Sequence, residues 1–507
     1  MTRRTTPRGR RTGTGATPRL RVRMYRQGLG DCFLLTFQGG PAPVHMLIDF
    51  GSIGEKTTGV TLADVADNIV TETGGHLHLL VATHEHQDHV NGFLRQRDRL
   101  AKPGFTVDRV WQAWTEDGAD ELAQQIETRR GDLLEFALGA VAAAAARRSR
   151  PPAGAAESLR GILGFVGDAG VAGQALGARE LAASVQEAMN WVTNRADNTD
   201  KFLHPGSVIE PEWLPGVRFY VLGPPRDPAA INRLGAHGDK ELYELAERTA
   251  GQLDACARFA ASGERFARYI DRLDDEGRRR FNDACAFDPR FRIEASGRRT
   301  ASHPYPGYDD PALAWRRIDS DWMGQATDLA LQLDNATNNT SLVLAIEFID
   351  DGRVLLFPGD AQKGNWESWE QYAFEVRDRH GGTRTVRASD LLKRTVFYKV
   401  GHHSSHNATL KARGLELMRH PDLVAFIPLD AAVAGKKWPT ATWPATGVYE
   451  ALLERARGRV LRSDTDWPPA DHRPASISKT EWTRCRKEAV SSGLVDVKER
   501  WIDYTLR

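Results

Sequence analysis

The chain has 507 residues, with 68 Lys and Arg against 67 Asp and Glu for a net charge of +1, and 41% hydrophobic and 27% charged residues. That balance belongs to a globular protein; it excludes a compositionally disordered chain and any global electrostatic pull toward nucleic acid or anionic lipid. No apolar run approaches the roughly 20 residues that a bilayer demands, so no membrane partner is expected. Residues 1–20, MTRRTTPRGRRTGTGATPRL, are Arg-rich without the apolar segment of a secretory signal and are expected to form a disordered basic tail. Cys32, Cys256, Cys285 and Cys485 are scattered and form no CxxC pair, which fits a reducing cytoplasm.

From residue 21, short apolar runs bounded by Gly, Asp or Pro follow one another: RVRMY, then CFLLTF after RQGLGD, then VHMLIDFGS. They predict consecutive strands of one sheet. TLADVADNIV predicts a helix, LHLLVATH a buried strand leading into THEHQDHVNG at 83–92, and DRVWQAW at 108–114 a further strand. From about 115 to 200 the pattern is helical, broken by SRPPAG, and it reads as an insertion. Strand character returns in GVRFYVLGPP at 216–225, before a second helical, Arg-rich stretch at about 226–335. Strands resume in TSLVLAIEF, RVLLFPGD, TVFYKVGHH and LVAFIPL, and after the helix GVYEALLERA in GRVLRSD. Residues 466–507 are of mixed pattern and read as a C-terminal extension.

The chemistry gathers at strand ends. His84, His86, Asp88 and His89 lie within six positions, and each is a good ligand for a borderline metal such as zinc. In an extended turn, alternation points His84 and His86 the same way and lets Asp88 and His89 turn onto a second centre. Asp360 follows four apolar residues and a Pro-Gly turn, and His402 and His403 end TVFYKVGHH in the same manner. Two divalent ions about 3.5–4 Å apart generate hydroxide near neutral pH and stabilise charge on attacking and leaving oxygens. Phosphodiesters gain most, because their transition state spreads negative charge over several oxygens.

YRQGLGDCFLL at 25–35, LIDFG at 47–51, THEHQDHVNG, LGPP at 222–225, NNTSLVL at 338–344, LLFPGDA at 355–361 and KVGHHSS at 399–405 resemble, in sequence and in order, the metallo-β-lactamase fold. Within it they look most like the soluble hydrolase domain of the ComEC competence proteins and its free-standing relatives. The resemblance covers mainly 21–115, 201–225 and 336–465. It implies an α/β fold, an αββα sandwich over 21–465 with two large helical insertions at about 115–200 and 226–335. It also implies that His84 and His86 hold the first metal, Asp88 and His89 the second, and that Asp360 bridges both. His402 would complete the second centre, with His403 beside it as an alternative ligand or as a donor to the substrate. Asp88 and His403 are the catalytic candidates, and Asp49 matches the aspartate that buttresses the metal loop by hydrogen bonding. The implied cofactors are two divalent metal ions, zinc first and manganese as the alternative.

Two departures stand out. Many superfamily hydrolases carry a further metal histidine just before the bridging aspartate, where this chain reads NATNNTS. Asn338 or Asn339 stands near that position, as in the ComEC-like group, so the first centre is expected to have fewer protein ligands. HHSS replaces HHGS, and Ser404 adds a side chain at a turn that glycine usually keeps open.

The expected function is a metal-dependent hydrolase, a phosphodiesterase or nuclease with nucleic acid as its substrate. Fold alone does not fix function. One alternative is a small-molecule or lipid-headgroup ester hydrolase; another is a partner-binding component of a defence or signalling assembly that docks a protein through the helical insertions. Blander readings apply to several residues: Asp31 as a turn residue, His76 and His78 as packing or surface residues, and His204 as a structural loop residue. His406 is a weak candidate for a proton shuttle. Trp366, Trp369, Trp438 and Trp443 are expected in the core or at its rim, and the Arg runs at 147–150 and 277–281 on solvated helix faces.

Overall fold

Short apolar runs become strands throughout. In chain order they are β1 (Leu20–Tyr25), β2 (Cys32–Phe37), β3 (Val44–Phe50), β4 (His76–Leu77), β5 (Leu79–Val81), β6 (Thr106–Val107), β7 (Val110–Ala113), β8 (Phe202–Leu203) and β9 (Val208–Ile209). There follow β10 (Val217–Gly223), β11 (Val343–Phe348), β12 (Val354–Phe357), β13 (Phe374–Arg377), β14 (Thr383–Val386) and β15 (Thr395–Lys399). The last are β16 (Val424–Ile427), β17 (Val460–Arg462), β18 (Val495–Val497) and β19 (Trp501–Leu506). This computed structural model describes residues 19–54, 58–131, 175–233, 333–377, 381–438, 441–467 and 473–507. The basic tail, the bulk of both insertions and the two Arg runs lie outside those residues.

The strands form two large sheets, ordered β18-β19-β1-β2-β3-β5-β7-β8 and β17-β16-β15-β12-β11-β10-β9. Each has an antiparallel part and a parallel part. In the first, β3, β5, β7 and β8 run parallel; in the second, β12, β15, β16 and β17 do. One apolar cluster joins the sheets face to face, with Val22, Phe33 and Ile48 of the first meeting Phe219, Leu344, Phe357 and Phe397 of the second. Phe33 and Phe357 meet edge to face at 5.7 Å. Strands buried on both faces read as unbroken apolar runs, which is why FYVL, LVLAI and VLLF show no alternation.

Helices cover both outer faces. Leu34, Leu47 and Leu80 turn outward onto α1 (Leu62–Thr73), α2 (Gln87–Arg95) and α3 (Ala175–Thr193), whose Val65, Phe93 and Met189 share their cluster. Tyr220, Leu356 and Tyr398 pack on the other side under α4 (Thr446–Arg455) through Val448 and Leu452. The result is a mixed α/β molecule in four layers. Local chemistry sets the helix ends: Thr61 and Asp64 form a reciprocal capping box at the start of α1, and Gly74 closes it with φ of 62°. Residues 466–507 differ from the expected extension. They supply β18 and β19, and β19 pairs along the whole of β1, so the C-terminal segment completes the first sheet.

The described parts of the insertions are helical at 121–131, in α3 and at 333–339. Their roots meet: Ile231 packs with Trp114 and Ala123, and Arg226 pairs with Asp120 at 2.5 Å.

Candidate metal centre

The carboxyl ends of β3, β5, β12 and β15 converge, the edge at which open α/β sheets place ligands. At the end of β3, Asp49 takes a positive φ of 55° and turns its carboxylate inward. Its Oδ1 accepts from Thr83 N and its Oδ2 from Thr83 Oγ1 and His89 Nδ1, all at 2.8 Å. One side chain thus ties the strand end to the histidine loop. Asp88 and His89 do not lie in an extended turn as expected; they occupy the first turn of α2, which starts at Gln87 directly after His86. Helix geometry turns Asp88 toward His403 and His89 toward Asp360, with the His89 ring 4.2 Å from that of His84.

Asp88, His89, Asp360 and His403 each offer a ligand atom within 4.8 Å of one another, and all four are fully buried. His403 Nε2 lies 2.7 Å from Asp88 Oδ2, and His89 Nε2 lies 3.2 Å from Asp360 Oδ2. The far nitrogen of each ring is fixed, His89 Nδ1 on Asp49 and His403 Nδ1 on the Pro428 carbonyl at 2.5 Å. The expected place of His402 in this group is taken by His403. His402 instead turns its Nδ1 to Ser405 Oγ at 2.7 Å and to Gln362 Nε2 at 3.3 Å. The cause is the turn: His402, His403 and Ser404 all have positive φ, 45°, 51° and 65°, which sends the two histidines apart. Ser404 holds the conformation that glycine would otherwise supply.

His84 and His86 form a pair beside this group, His84 Nε2 standing 3.1 Å from His86 Nδ1. Of the two asparagines only Asn338 stands beside this pair, next to His86. Asn339 is built into the scaffold, where its Nδ2 donates to Ile231 O and its Oδ1 accepts from Gln362 N and Asn365 N.

Three participants are not singled out by the sequence. Lys399, the last residue of β15, buries its ammonium on Gly359 O at 2.8 Å, on Asp360 Oδ1 at 3.0 Å and on Asp31 Oδ2. Asp31 is therefore part of the site as well as of a turn. The signal for Lys399 was an ionisable residue closing an otherwise apolar strand. Asp334 is buried beside His86 and four residues before Asn338, a helical spacing legible only once 333–339 is known to be helical. Glu85, inside the histidine loop, pairs with Arg130 from the root of the first insertion.

Burial holds His84 well below the ordinary histidine range, with His89 and His86 adding to it, and pushes His86 and His402 down to about 4. These rings are neutral and keep lone pairs for a metal. Burial opposes charge on His89 and His403 too, but Asp360, Asp31 and Asp49 around His89, and Asp88 against His403, outweigh it and raise both. Asp88 goes down to about 2 because His403 and His89 overcome its burial. Asp31 rises to about 6 through burial, against the pull of Lys399. Asp31 Oδ1, Asp88 Oδ1 and Asp334 Oδ1 have no hydrogen-bond partner among the described residues. Buried carboxylate oxygens without partners, set beside imidazoles, fit a divalent cation of the zinc or manganese kind.

Other candidates lie elsewhere. His76, His78 and Asp108 cluster near the surface, but His78 Nδ1 accepts from His45 N at 3.1 Å, so that its lone pair is taken. His204 is exposed beside Arg226, at 3.3 Å, and His406 is half-buried. Trp366 and Trp369 stack on each other in the core at 3.9 Å, and Trp438 and Trp443 pair at its edge. Among the described residues no helix is long and apolar enough to cross a membrane. Comparison with protein-family models, with curated proteins and with solved structures finds no match to this chain.

Proposed function

We propose that the four layers are a metallo-β-lactamase αββα sandwich and that the protein is a metal-dependent hydrolase whose preferred bond is a phosphodiester. The observation that carries this reading is the convergence of Asp88, His89, Asp360 and His403, from both sheets, within 4.8 Å. In that centre His89 and His403 offer Nε2 while Asp88 and Asp360 offer carboxylate oxygens; His84 and His86 belong to the other centre. Divalent ions there supply Lewis acidity toward an anionic ester and make water a nucleophile near neutral pH.

The chain's own residues hold and orient. Asp49 and the Pro428 carbonyl fix the two rings, as partners on the far nitrogen of metal histidines do. Lys399 and the His402 N–H occupy Asp360 Oδ1, so that Oδ2 alone faces His89. His402 is 7% exposed, whereas the other four histidines of the site are at 0–1%. With its Nδ1 on Ser405, His402 takes the role of donor to a substrate oxygen and His403 that of ligand. The same burial favours, as a second reading, a small phosphodiester or a lipid-headgroup ester over a long duplex.

The test is a screen of metal-reconstituted protein against linear and circular DNA, RNA, bis(p-nitrophenyl) phosphate, a thioester and a chromogenic β-lactam. Phosphodiester cleavage that vanishes on chelation and in Asp360→Ala is expected. Efficient lactam or thioester turnover with every phosphodiester inert would sink the reading.

A further inference from the structure

The sequence leaves the first centre short of a ligand, and the structure puts a carboxylate behind it. Residues 333–339 are helical where the second insertion ends, with Asp334 and Asn338 four apart on one face. Asp334 is 6% exposed. Asn338 Nδ2 donates to Asp334 Oδ2 at 3.1 Å, while Asp334 Oδ1 has no hydrogen-bond partner among the described residues. That oxygen lies 3.8 Å from His86 Nε2. On the opposite side of the same ring, Nδ1 faces His84 Nε2 at 3.1 Å. His86 therefore presents one nitrogen to His84 and the other toward Asp334.

The charge around Asp334 needs an explanation. Burial, then repulsion by Asp88 and Asp360, holds its carboxyl well above the usual carboxylate range, and His403 pulls the other way. A buried carboxylate among like charges is costly unless a cation compensates it. Asp334 and His84 face opposite nitrogens of the His86 ring. Asp334 stands behind the ligand, where metal-bound histidines commonly meet a carboxylate that fixes ring orientation and raises basicity.

We propose that Asp334 is a positioning residue of the first metal centre: it receives the Nε2–H of His86 and so leaves Nδ1, the nitrogen that faces His84, with the lone pair that a divalent ion held by these two histidines would take. The contact closes with a movement of under about 1 Å, since a hydrogen bond needs about 2.9 Å. This rests on the metal-hydrolase reading above. It gives the second insertion a task, because the helical residues at its end hold the metal loop from outside.

The experiment is a two-step competition titration of the full-length, metal-stripped protein with Zn²⁺ against a chromophoric chelator, backed by the absorption spectrum of the Co²⁺ form. His84→Ala identifies which step belongs to the first centre. Asp334→Asn keeps the shape of the side chain and removes its charge. It is expected to weaken the first-centre step about 10- to 100-fold, to alter the first-centre Co²⁺ bands and to leave the second step unchanged. An unchanged first step in Asp334→Asn overturns the proposal while leaving the hydrolase reading intact. So does an equal loss at both steps with a lowered melting temperature of the metal-free protein, which marks a merely structural residue. Wild-type protein that takes up no metal overturns the proposal and the hydrolase reading together.

Discussion

At the scale of single residues, the site is governed by an ammonium in its floor. Lys399 Nζ separates Asp31 from Asp360, and burial opposes its charge less than the two carboxylates support it. Lys399→Met leaves two buried carboxylates facing each other without compensation, and breaking such a cluster costs about 3–5 kcal/mol. Urea unfolding of the metal-free protein should show that loss, and adding Asp31→Asn should recover part of it. A fully additive double variant would mean that the three groups are not coupled. His45 gives a second residue-scale handle, outside the Asp88, His89, Asp360 and His403 group. Burial, then His78, Arg21 and His76, lower its pKa to about 4. A histidine depressed on folding contributes stability that is fully present above its unfolded value near 6.5 and is lost as the pH falls toward 4. Between pH 7.5 and 5 that loss is about 2 kcal/mol. His45→Gln should remove this part of the pH dependence; identical slopes for the two proteins would contradict the assignment.

At the scale of elements, the metal loop is seated by backbone-to-backbone approach. A Cβ on Gly51 would lie 2.2–2.4 Å from the backbone of Asp88 and His89, and one on Gly30 2.6 Å from the Asp88 carbonyl. Gly51→Ala must lift the start of α2 away from β3. An overpacking cost of about 1–3 kcal/mol is expected, together with weaker binding at the Asp88–His89 centre, measured by chelator competition; unaltered metal affinity would show that the loop tolerates displacement. These contacts explain how far the sequence could be read. The runs ending in LIDFG, LVATH, LLFPGD and FYKVGHH are apolar enough to declare themselves as strands, and each stops at the turn that delivers a site residue. WIDYTL mixes polar and apolar residues and gave no such sign; its role as β19 depends on β1, some 480 positions away in sequence, a pairing that no local pattern encodes. That His403 and not His402 lies beside Asp88 rests on three consecutive positive φ angles, and that Asp334 lies beside His86 rests on a helix at the end of an insertion. Neither is carried by composition or spacing.

At the scale of the molecule, the two sheets are bound by their shared apolar layer, and the first is closed by the C-terminal strand. Arg23 of β1 and Asp503 of β19 form a bidentate pair, both contacts at 2.8 Å, with Arg23 also over the Trp501 ring at 4.0 Å. Asp503→Ala leaves the buried guanidinium with Glu72 and Asn68, and a loss of about 3 kcal/mol is expected in chemical denaturation. A variant as stable as wild type would place the latch elsewhere along the strand. The two sheets also divide the metal residues between them, with His84, His86, Asp88 and His89 on one side and Asp334, Asp360 and His403 on the other. Translation at roughly 5–20 residues per second separates the appearance of these groups by tens of seconds. During that interval the histidine loop exists without the carboxylates of the second sheet. On the proposed metal reading, an ion taken up before the second sheet docks would be enclosed by it, so metal content should follow the ions present during folding.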